Sequence, residues 1–254
     1  MQSVNNSVNI NIPNISNQMI QNFNKMDMKE IEPTTQVINE DIYEEYLSII
    51  IDELVSFYFK MTNEGKEENI RKQHILDFIN NQEINLREIY YYLINNQNDS
   101  NSIYLLGYFN FNGIGTNINK QKALKLYQKA VKLENNVAQY SLAKMYLDGD
   151  GVNKNNFMVF ELSKELAKKG YSVGINGLGY CYDFGVGTYV NKEKAVELYQ
   201  KAANLGNSIA QYNVAWMYEY GKGIKKDVTQ AIYWYKKSAE QGYKFSQNKL
   251  EALS

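Results

Sequence analysis

A Gly-x-Gly motif recurs along this chain at a constant spacing of 36 residues. Its four copies are Gly113/Gly115, Gly149/Gly151, Gly185/Gly187 and Gly221/Gly223. A fixed period of this length is the signature of a stacked repeat array, in which each unit packs only against its neighbours. The sequence therefore predicts a series of similar units rather than a fold without internal repetition.

Each period is predicted to form two helices, A and B, joined by the Gly-x-Gly turn. Glycine suits the end of helix A because it adopts a positive φ without steric cost. Ser, Asn and Asp favour helix starts, since their side chains accept hydrogen bonds from the free amides of the first turn. The expected caps of the A helices are Ser100, Asn136, Ser172 and Ser208. The expected caps of the B helices are Asn119, Asn155, Asn191 and Asp227.

Large and small residues recur in fixed rows along these helices. The small row of helix A is Gly107, Ala143, Gly179 and Ala215. The tyrosine row of helix B is Tyr127, Tyr199 and Tyr235. Repeat two departs from the tyrosine row with Ser163, and it carries Val159 and Leu166 where the other repeats have small residues. We predict a volume exchange in which these larger neighbours fill the space of the missing ring, so that Ser163→Tyr would overpack the helix face.

Helix A of repeat three contains two interior glycines beyond the common rows. Gly174 stands where repeats two and four have alanine, and no row of the pattern requires Gly177. An interior glycine destabilises a helix by about 0.8–1 kcal/mol relative to alanine. We therefore expect this helix to be the softest of the array.

The repeated rows resemble the Sel1-like repeat family, whose pattern is roughly A-x-x-x-L-G-x-x-Y-x-x-G-x-G-V-x-x-D-x-x-K-A-x-x-W-Y-x-K-A-A-x-x-G. The segment KAVELYQKAANLG, from Lys194 to Gly206, is one close match. The resemblance covers about residues 100–254 and implies an all-α fold, a right-handed α-solenoid of four helix-turn-helix repeats related to tetratricopeptide arrays. The implied segments are the repeats 100–135, 136–171, 172–207 and 208–243 and a C-terminal capping helix at 244–254.

The chain before the repeats divides at about residue 39. Residues 1–38 are rich in Asn, Ser, Gln and Met without a sustained period, and we predict a disordered tail. Residues 39–99 show apolar residues at helical spacing in three stretches, which predicts three helices. We expect this segment to be an N-terminal helical cap that covers the exposed face of repeat one.

The capping segment, with NEGKEENIRKQHILDFIN, also resembles the connector between a protein-kinase-like domain and Sel1-like repeats in certain fungal proteins. The kinase domain itself is absent from the sequence, which has neither the Gly-rich loop with its lysine nor a catalytic loop. The triplet Asp183-Phe184-Gly185 spells a kinase metal-binding motif. Its register identifies it instead as the ordinary turn into Gly-x-Gly.

Composition and motifs exclude most other classes of function. The only histidine, His74, has no marked catalytic partners, and the only cysteine, Cys181, lies in an apolar row. No Cys/His cluster has metal-ligand spacing, so we predict no catalytic residue, no cofactor and no metal. Arginine is absent from the repeats and no nucleic-acid-binding motif occurs, which disfavours nucleic acid as a partner. The absence of a secretory signal, of a membrane span and of paired cysteines predicts a cytoplasmic protein.

The sequence thus predicts a non-enzymatic scaffold or adaptor that binds a protein or peptide partner in the concave groove of the solenoid. The excess of lysine in the array favours an acidic partner. The alternatives are a regulatory, kinase-less relative of kinase–Sel1 proteins in signalling and an adaptor in endoplasmic-reticulum protein degradation. Resemblance to tetratricopeptide arrays places the partner on helix A residues outside the packing rows. These candidates are Tyr104, Tyr108, Phe111, Tyr140, Lys144, Asp148, Asn176, Tyr180, Asp183, Tyr212, Trp216 and Tyr220.

Overall fold

The computed structural model describes residues 33–82 and 84–253, so most of the tail predicted to be disordered lies outside the described residues. The chain divides into two compact units, residues 1–45 and 46–254. Of the first unit, the structure describes the beginning of one long helix. The second unit contains the rest of that helix, the repeats and the C-terminus, and the following description concerns it.

The described residues form an all-helical chain. The three helices before the repeats are α1 (Pro33–Asn63), α2 (Glu68–Asn81) and α3 (Leu86–Asn95). The A helices of the four repeats are α4 (Ser100–Asn112), α6 (Asn136–Asp148), α8 (Ser172–Phe184) and α10 (Ser208–Tyr220). The B helices are α5 (Lys120–Lys132), α7 (Asn156–Lys168), α9 (Lys192–Asn204) and α11 (Val228–Glu240). A final helix, α12, spans Lys244–Leu253 and packs on α11.

Each Gly-x-Gly turn uses its two glycines for different purposes. The first adopts a left-handed conformation that ends helix A, as at Gly221, whose φ is 64°. In repeats two, three and four the second allows the turn to approach the start of the preceding B helix. A Cβ on Gly187 would lie 2.2 Å from the carbonyl oxygen of Asn156, and one on Gly223 would lie 2.3 Å from the carbonyl carbon of Lys192. The second glycine therefore sets how closely consecutive repeats stack.

The caps of the B helices are confirmed at all four predicted positions. The caps of the A helices lie one residue earlier than predicted, because the residues expected to cap are themselves the first helical residues. The side chains that accept the capping bond are Asp99, Asn135 and Asn207. In repeat three this position is Tyr171, whose side chain makes no capping hydrogen bond in the described structure.

The segment before the repeats reaches well beyond repeat one, which it was expected to cover. Of the covering helices, only α3 lies beside that repeat alone, where Lys122 donates a hydrogen bond to the hydroxyl of Tyr90. The part of α1 in the second unit extends along the whole array. It contacts repeat one through Asp52 and ends near repeat four, where Lys66 donates to the carbonyl of Gln241. The A helices present an apolar, tyrosine-rich surface at repeat one, and burial of that surface favours this position.

The end of α1 docks on the N-termini of two A helices. The side-chain oxygen of Asn63 accepts from the amide of Val173, 3.3 Å away, and so supplies the cap that α8 lacks. The carbonyl of Glu64 accepts from the amide of Ser208, the first residue of α10, at 2.9 Å. Carbonyls at a helix C-terminus carry partial negative charge and amides at an N-terminus carry partial positive charge. The two sets of groups therefore satisfy each other's hydrogen bonds and dipoles.

A buried arginine holds α2 against α1 and repeat two. The guanidinium of Arg71 donates to Thr62 at 2.6 Å and pairs with Glu68 at 2.5 Å. It lies 4.9 Å from the ring centre of Tyr58 and 5.5 Å from that of Tyr140. Burial disfavours its charge, but the neighbouring Tyr58, Tyr140 and Glu68 outweigh burial and raise the pKa of Arg71. The side chain therefore remains a cation between the covering helices and the array.

Asn63→Ala should lower the free energy of unfolding by about 0.5–2 kcal/mol, because α8 loses its cap. Asn63→Asp is the matched control and should keep most of the stability, since a carboxylate accepts the same bond and favours the positive end of a helix. Urea unfolding followed by circular dichroism measures both. Equal losses for the two variants, or no loss for Asn63→Ala, would contradict capping by Asn63.

Candidate binding cleft

In three repeats the tyrosine of helix B packs on the small residue of helix A in the same repeat. A Cβ on Gly107 would lie 2.7 Å from the ring of Tyr127, and one on Gly179 would lie 2.8 Å from the ring of Tyr199. All three tyrosines of this row are buried. Each ring therefore fills the space between adjacent helices, and the small residue makes room for it.

Helix B of repeat two has Leu166 in place of a small residue and Ser163 in place of tyrosine, and the next A helix accommodates both changes. A Cβ on Gly174 would lie only 2.3 Å from the Cβ of Leu166, so glycine at this position makes room for the larger side chain. A Cβ on Gly177 would lie 3.0 Å from the hydroxyl of Ser163. Helix α7 accordingly packs closely against α8, more so than the other B helices pack on their next neighbours. Gly174 thus has a packing reason that the sequence pattern did not show.

The space of the missing ring is not filled, so the predicted volume exchange within helix B is wrong. A cleft of about 330 Å³ remains between α6 and α8, and Val159, Ser163 and Leu166 form part of its floor. Its rim is formed by polar and aromatic side chains of the A helices. Thr62, Gly65 and Lys66, from the docked end of α1 and the turn that follows it, border the cleft.

Five of the partner-binding residues predicted from the sequence line this cleft: Tyr140, Lys144, Asp148, Asn176 and Tyr180. Lys144 and Asp148 form an ion pair at 3.4 Å on the rim. The side-chain oxygen of Asn176 accepts a hydrogen bond from the amide of Asn213 at 3.0 Å. Asn213 also lines the cleft and was not among the candidates. The arrangement combines an apolar floor with a polar and aromatic rim, which is the usual anatomy of a recognition site.

The candidates of repeat one lie under the chain's own covering helices. Tyr104 and Tyr108 are both buried, and their ring centres lie 6.0 Å and 5.0 Å from that of Tyr58 on α1. Burial raises the pKa of both phenols. Phe111 is half-buried beneath the ammonium group of Lys120. In this conformation Tyr104 and Tyr108 pack the fold and are not exposed to a partner, which is a correction to their expected place.

Asp183 is also buried. Its carboxylate accepts hydrogen bonds from the ammonium group of Lys192 and from the hydroxyl of Tyr199, the latter at 3.3 Å. The 36-residue stride from Asp148 leads to Phe184, the next residue, and then to Tyr220. Phe184 is exposed and its ring lies 4.6 Å from that of Tyr180. The prediction of Asp183 as a contact residue is therefore wrong, and the 36-residue period would have identified Phe184 at this position.

The candidates of repeat four form a separate group at the end of the array. The rings of Trp216 and Tyr220 are tilted against each other with 5.0 Å between their centres, and Lys249 of α12 donates a hydrogen bond to the hydroxyl of Tyr220 at 3.0 Å. Tyr212 lies 5.5 Å from the ring of Tyr243. These residues do not line the cleft between α6 and α8.

The residues with potential chemistry are placed as structural groups. Burial raises the pKa of the Cys181 thiol to about 11, although a hydrogen bond with Ser163 acts in the opposite direction. A thiol with such a pKa is a weak nucleophile near neutral pH. His74 is exposed and contacts the ring of Phe57 edge-on. Across residues 33–82 and 84–253, no group of three His, Cys, Asp or Glu side chains could hold a metal ion together.

Comparison with known proteins agrees with this architecture. A family model described as Sel1 repeat matches residues 100–135, 136–171, 172–207 and 208–243. The solved structure of c5321, a protective antigen of uropathogenic Escherichia coli strains with an SLR fold, is 30% identical, with 60% of this chain and 32% of that chain covered and a TM-score of 0.53. A Sel1 repeat protein from Oxalobacter formigenes is 29% identical, with 57% and 60% covered and a TM-score of 0.50. A search of curated proteins found no match.

The fold and the matched repeats define an all-helical repeat protein of the solenoid class. The chain belongs to the Sel1 repeat family, whose members commonly serve as scaffolds for protein–protein interactions and whose fold is generally non-catalytic. The chain spans less than two thirds of the length of either structural relative. No helix within the described ranges combines the length and hydropathy that a membrane crossing requires.

Gly174→Ala should lower the free energy of unfolding by about 1–3 kcal/mol, because the added methyl group would overlap Leu166. Gly177→Ala is the matched control on the same helix. Its methyl group meets the rotatable hydroxyl of Ser163, so the gain in helix propensity of about 0.8–1 kcal/mol should leave stability equal or higher. Thermal unfolding compares the two variants. A similar response of both would show that close packing at Gly174 does not govern this interface.

Proposed function

We propose that the protein is a non-enzymatic scaffold that binds a segment of a partner protein in the cleft between α6 and α8. The observation that carries this proposal is that the cleft stays open while the chain's own helices cover the A helices of repeat one. One stretch of the repeat surface is therefore accessible to another molecule. Tyr140, Lys144, Asp148, Asn176 and Tyr180 are the proposed contact residues.

The shape of the cleft favours a peptide segment over a small molecule. Its lining extends from Asp148 on α6 across α8 to Asn207 and Asn213 at the beginning of repeat four. A segment that crosses three successive A helices would contact several repeats at once, which is how solenoids use their surfaces. The aromatic rings of Tyr140 and Tyr180 offer large contact area with a polar tip, a property enriched in interface hot spots.

The charge on the array supports an acidic partner as part of this proposal. Residues 101–254 carry a net charge of about +8, and exposed lysines such as Lys125 lie on the B helices. Lys66 and Lys144 border the cleft itself. A positive field accelerates encounter with a negatively charged partner and weakens with salt. A cytoplasmic location also belongs to the proposal, since the single Cys181 offers no internal disulfide.

Capture from an extract of the native cell tests the proposal. The tagged full chain is compared with Tyr180→Ala and Lys144→Glu in the cleft, and with Lys125→Glu on the outer face as the matched control. The two cleft variants should retain at least about tenfold less of the partner that the wild type captures, since a hot-spot truncation weakens binding by about 2 kcal/mol or more. Their melting temperatures should match that of the control. A partner retained equally by all variants would overturn the proposal.

A further inference from the structure

We infer that the cleft receives a phenylalanine side chain of the partner at the place where the other repeats hold their own tyrosine. The inference rests on the proposed function and specifies what the partner segment must contain. Its basis is the comparison of one position in four repeats of the same chain. Tyr127, Tyr199 and Tyr235 fill this position elsewhere, whereas in repeat two Ser163 stands there and lines the open cleft.

The surroundings of Ser163 still fit a ring. Ala143 keeps the small residue of helix A on which a ring would lie, and it lines the cleft. Val159 and Leu166 provide a buried apolar floor, and Gly177 on the facing helix carries no side chain that could block entry. Repeat two has therefore lost the ring but retained the residue that accommodates it.

The polar partners of a tyrosine hydroxyl are missing at this position. The hydroxyl of Tyr199 donates to Asp183 at 3.3 Å, and that of Tyr235 donates to Glu219 at 2.6 Å. The equivalent residue of repeat two, 36 residues before Asp183, is Leu147, which lines the cleft. A hydroxyl placed against Leu147 would lose its hydrogen bonds to water without replacement.

The hydroxyl of Tyr127, the third tyrosine of the helix B row, also has a polar neighbour that repeat two lacks. The hydroxyl of Tyr127 interacts with Ser141 of the next A helix. The residue equivalent to Ser141 beside Ser163 is Gly177, which has no side-chain acceptor. An aromatic side chain without a hydroxyl fits this site better than tyrosine does.

The space beside Ser163 is continuous with an interface that the chain already makes. Gly65, in the turn after α1, borders the same cleft, and its carbonyl accepts from the hydroxyl of Ser208 at the start of α10. A partner segment with its phenylalanine in this space would extend this interface along α8. The occupant is therefore an extended or helical segment of another protein that presents one phenylalanine.

A first experiment fills the position from within the full chain. Ser163→Phe should raise the melting temperature by about 2–4 °C, and Ser163→Tyr should raise it less, because its hydroxyl finds no acceptor. In the background of Leu147→Glu, which recreates the pair of Tyr235 and Glu219, the order should reverse. A lower melting temperature for Ser163→Phe, or an order that does not respond to Leu147→Glu, would overturn the inference.

A second experiment uses N-acetyl-phenylalanine amide and N-acetyl-tyrosine amide as probes in two-dimensional NMR titrations. The phenylalanine probe should bind at least about fivefold tighter, the factor expected from one unsatisfied buried hydroxyl. Ser163→Phe should abolish binding of both probes, whereas Lys125→Glu should leave binding unchanged. Equal affinities, binding that persists in Ser163→Phe, or no shifts at the cleft residues would overturn the inference.

The outcomes separate this inference from the proposed function. Partner capture that depends on Tyr180 and Lys144, combined with probes of equal affinity, keeps the cleft as the binding site and removes the phenylalanine anchor. A phenylalanine-selective cleft, combined with partner capture that ignores Tyr180 and Lys144, keeps a ring site and overturns the proposed scaffold role of the cleft.

Discussion

The close approach of the Gly-x-Gly turns of repeats two, three and four to the preceding B helix is the constraint on which the stacking of this array depends. Gly187 and Gly223 leave no space for a Cβ against the backbone of Asn156 and Lys192. These backbone contacts fix the distance between consecutive repeats at one end of the helices. Further along the helices, tyrosine rings fill the space that this distance leaves. Where Ser163 replaces the ring, an open cleft lies between α6 and α8.

The position of the covering helices depends on backbone polarity at repeats three and four as well as on apolar burial at repeat one. The turn after α1 offers carbonyl groups to the N-termini of α8 and α10, and Asn63 supplies a cap that Tyr171 does not. These bonds fix where α1 ends and therefore where α2 begins its return across the array. Arg71 then secures α2 between Tyr58 and Tyr140. The two devices together decide which part of the repeat surface is buried and which part remains open.

The sequence predicted the repeats well because their determinants are local and repeated. The stride revealed the helices, the glycine turns and the caps of the B helices, each of which follows from the chemistry of one or two neighbouring residues. The path of α1 and α2 could not be predicted, since its anchoring contacts join residues far apart in the sequence, such as Asn63 with Val173 and Arg71 with Tyr140, and leave no local pattern. The pairing of Leu166 with Gly174 was missed because it joins helices of different repeats. The misplacement of Asp183 was avoidable, since the stride itself points to Phe184.

The central claim is that the chain covers the A helices of repeat one with α1 and leaves the cleft beside Lys144 open. Thiol accessibility tests it most directly, with Val55→Cys on the buried face of α1 and Lys144→Cys on the rim of the cleft. Native Cys181, which is buried, provides the internal control. Under native conditions an aromatic disulfide reagent should label Lys144→Cys at the rate of a free thiol, while Val55→Cys and Cys181 should react only as fast as the protein opens. Rapid labelling of Val55→Cys, or protection of Lys144→Cys, would contradict the account.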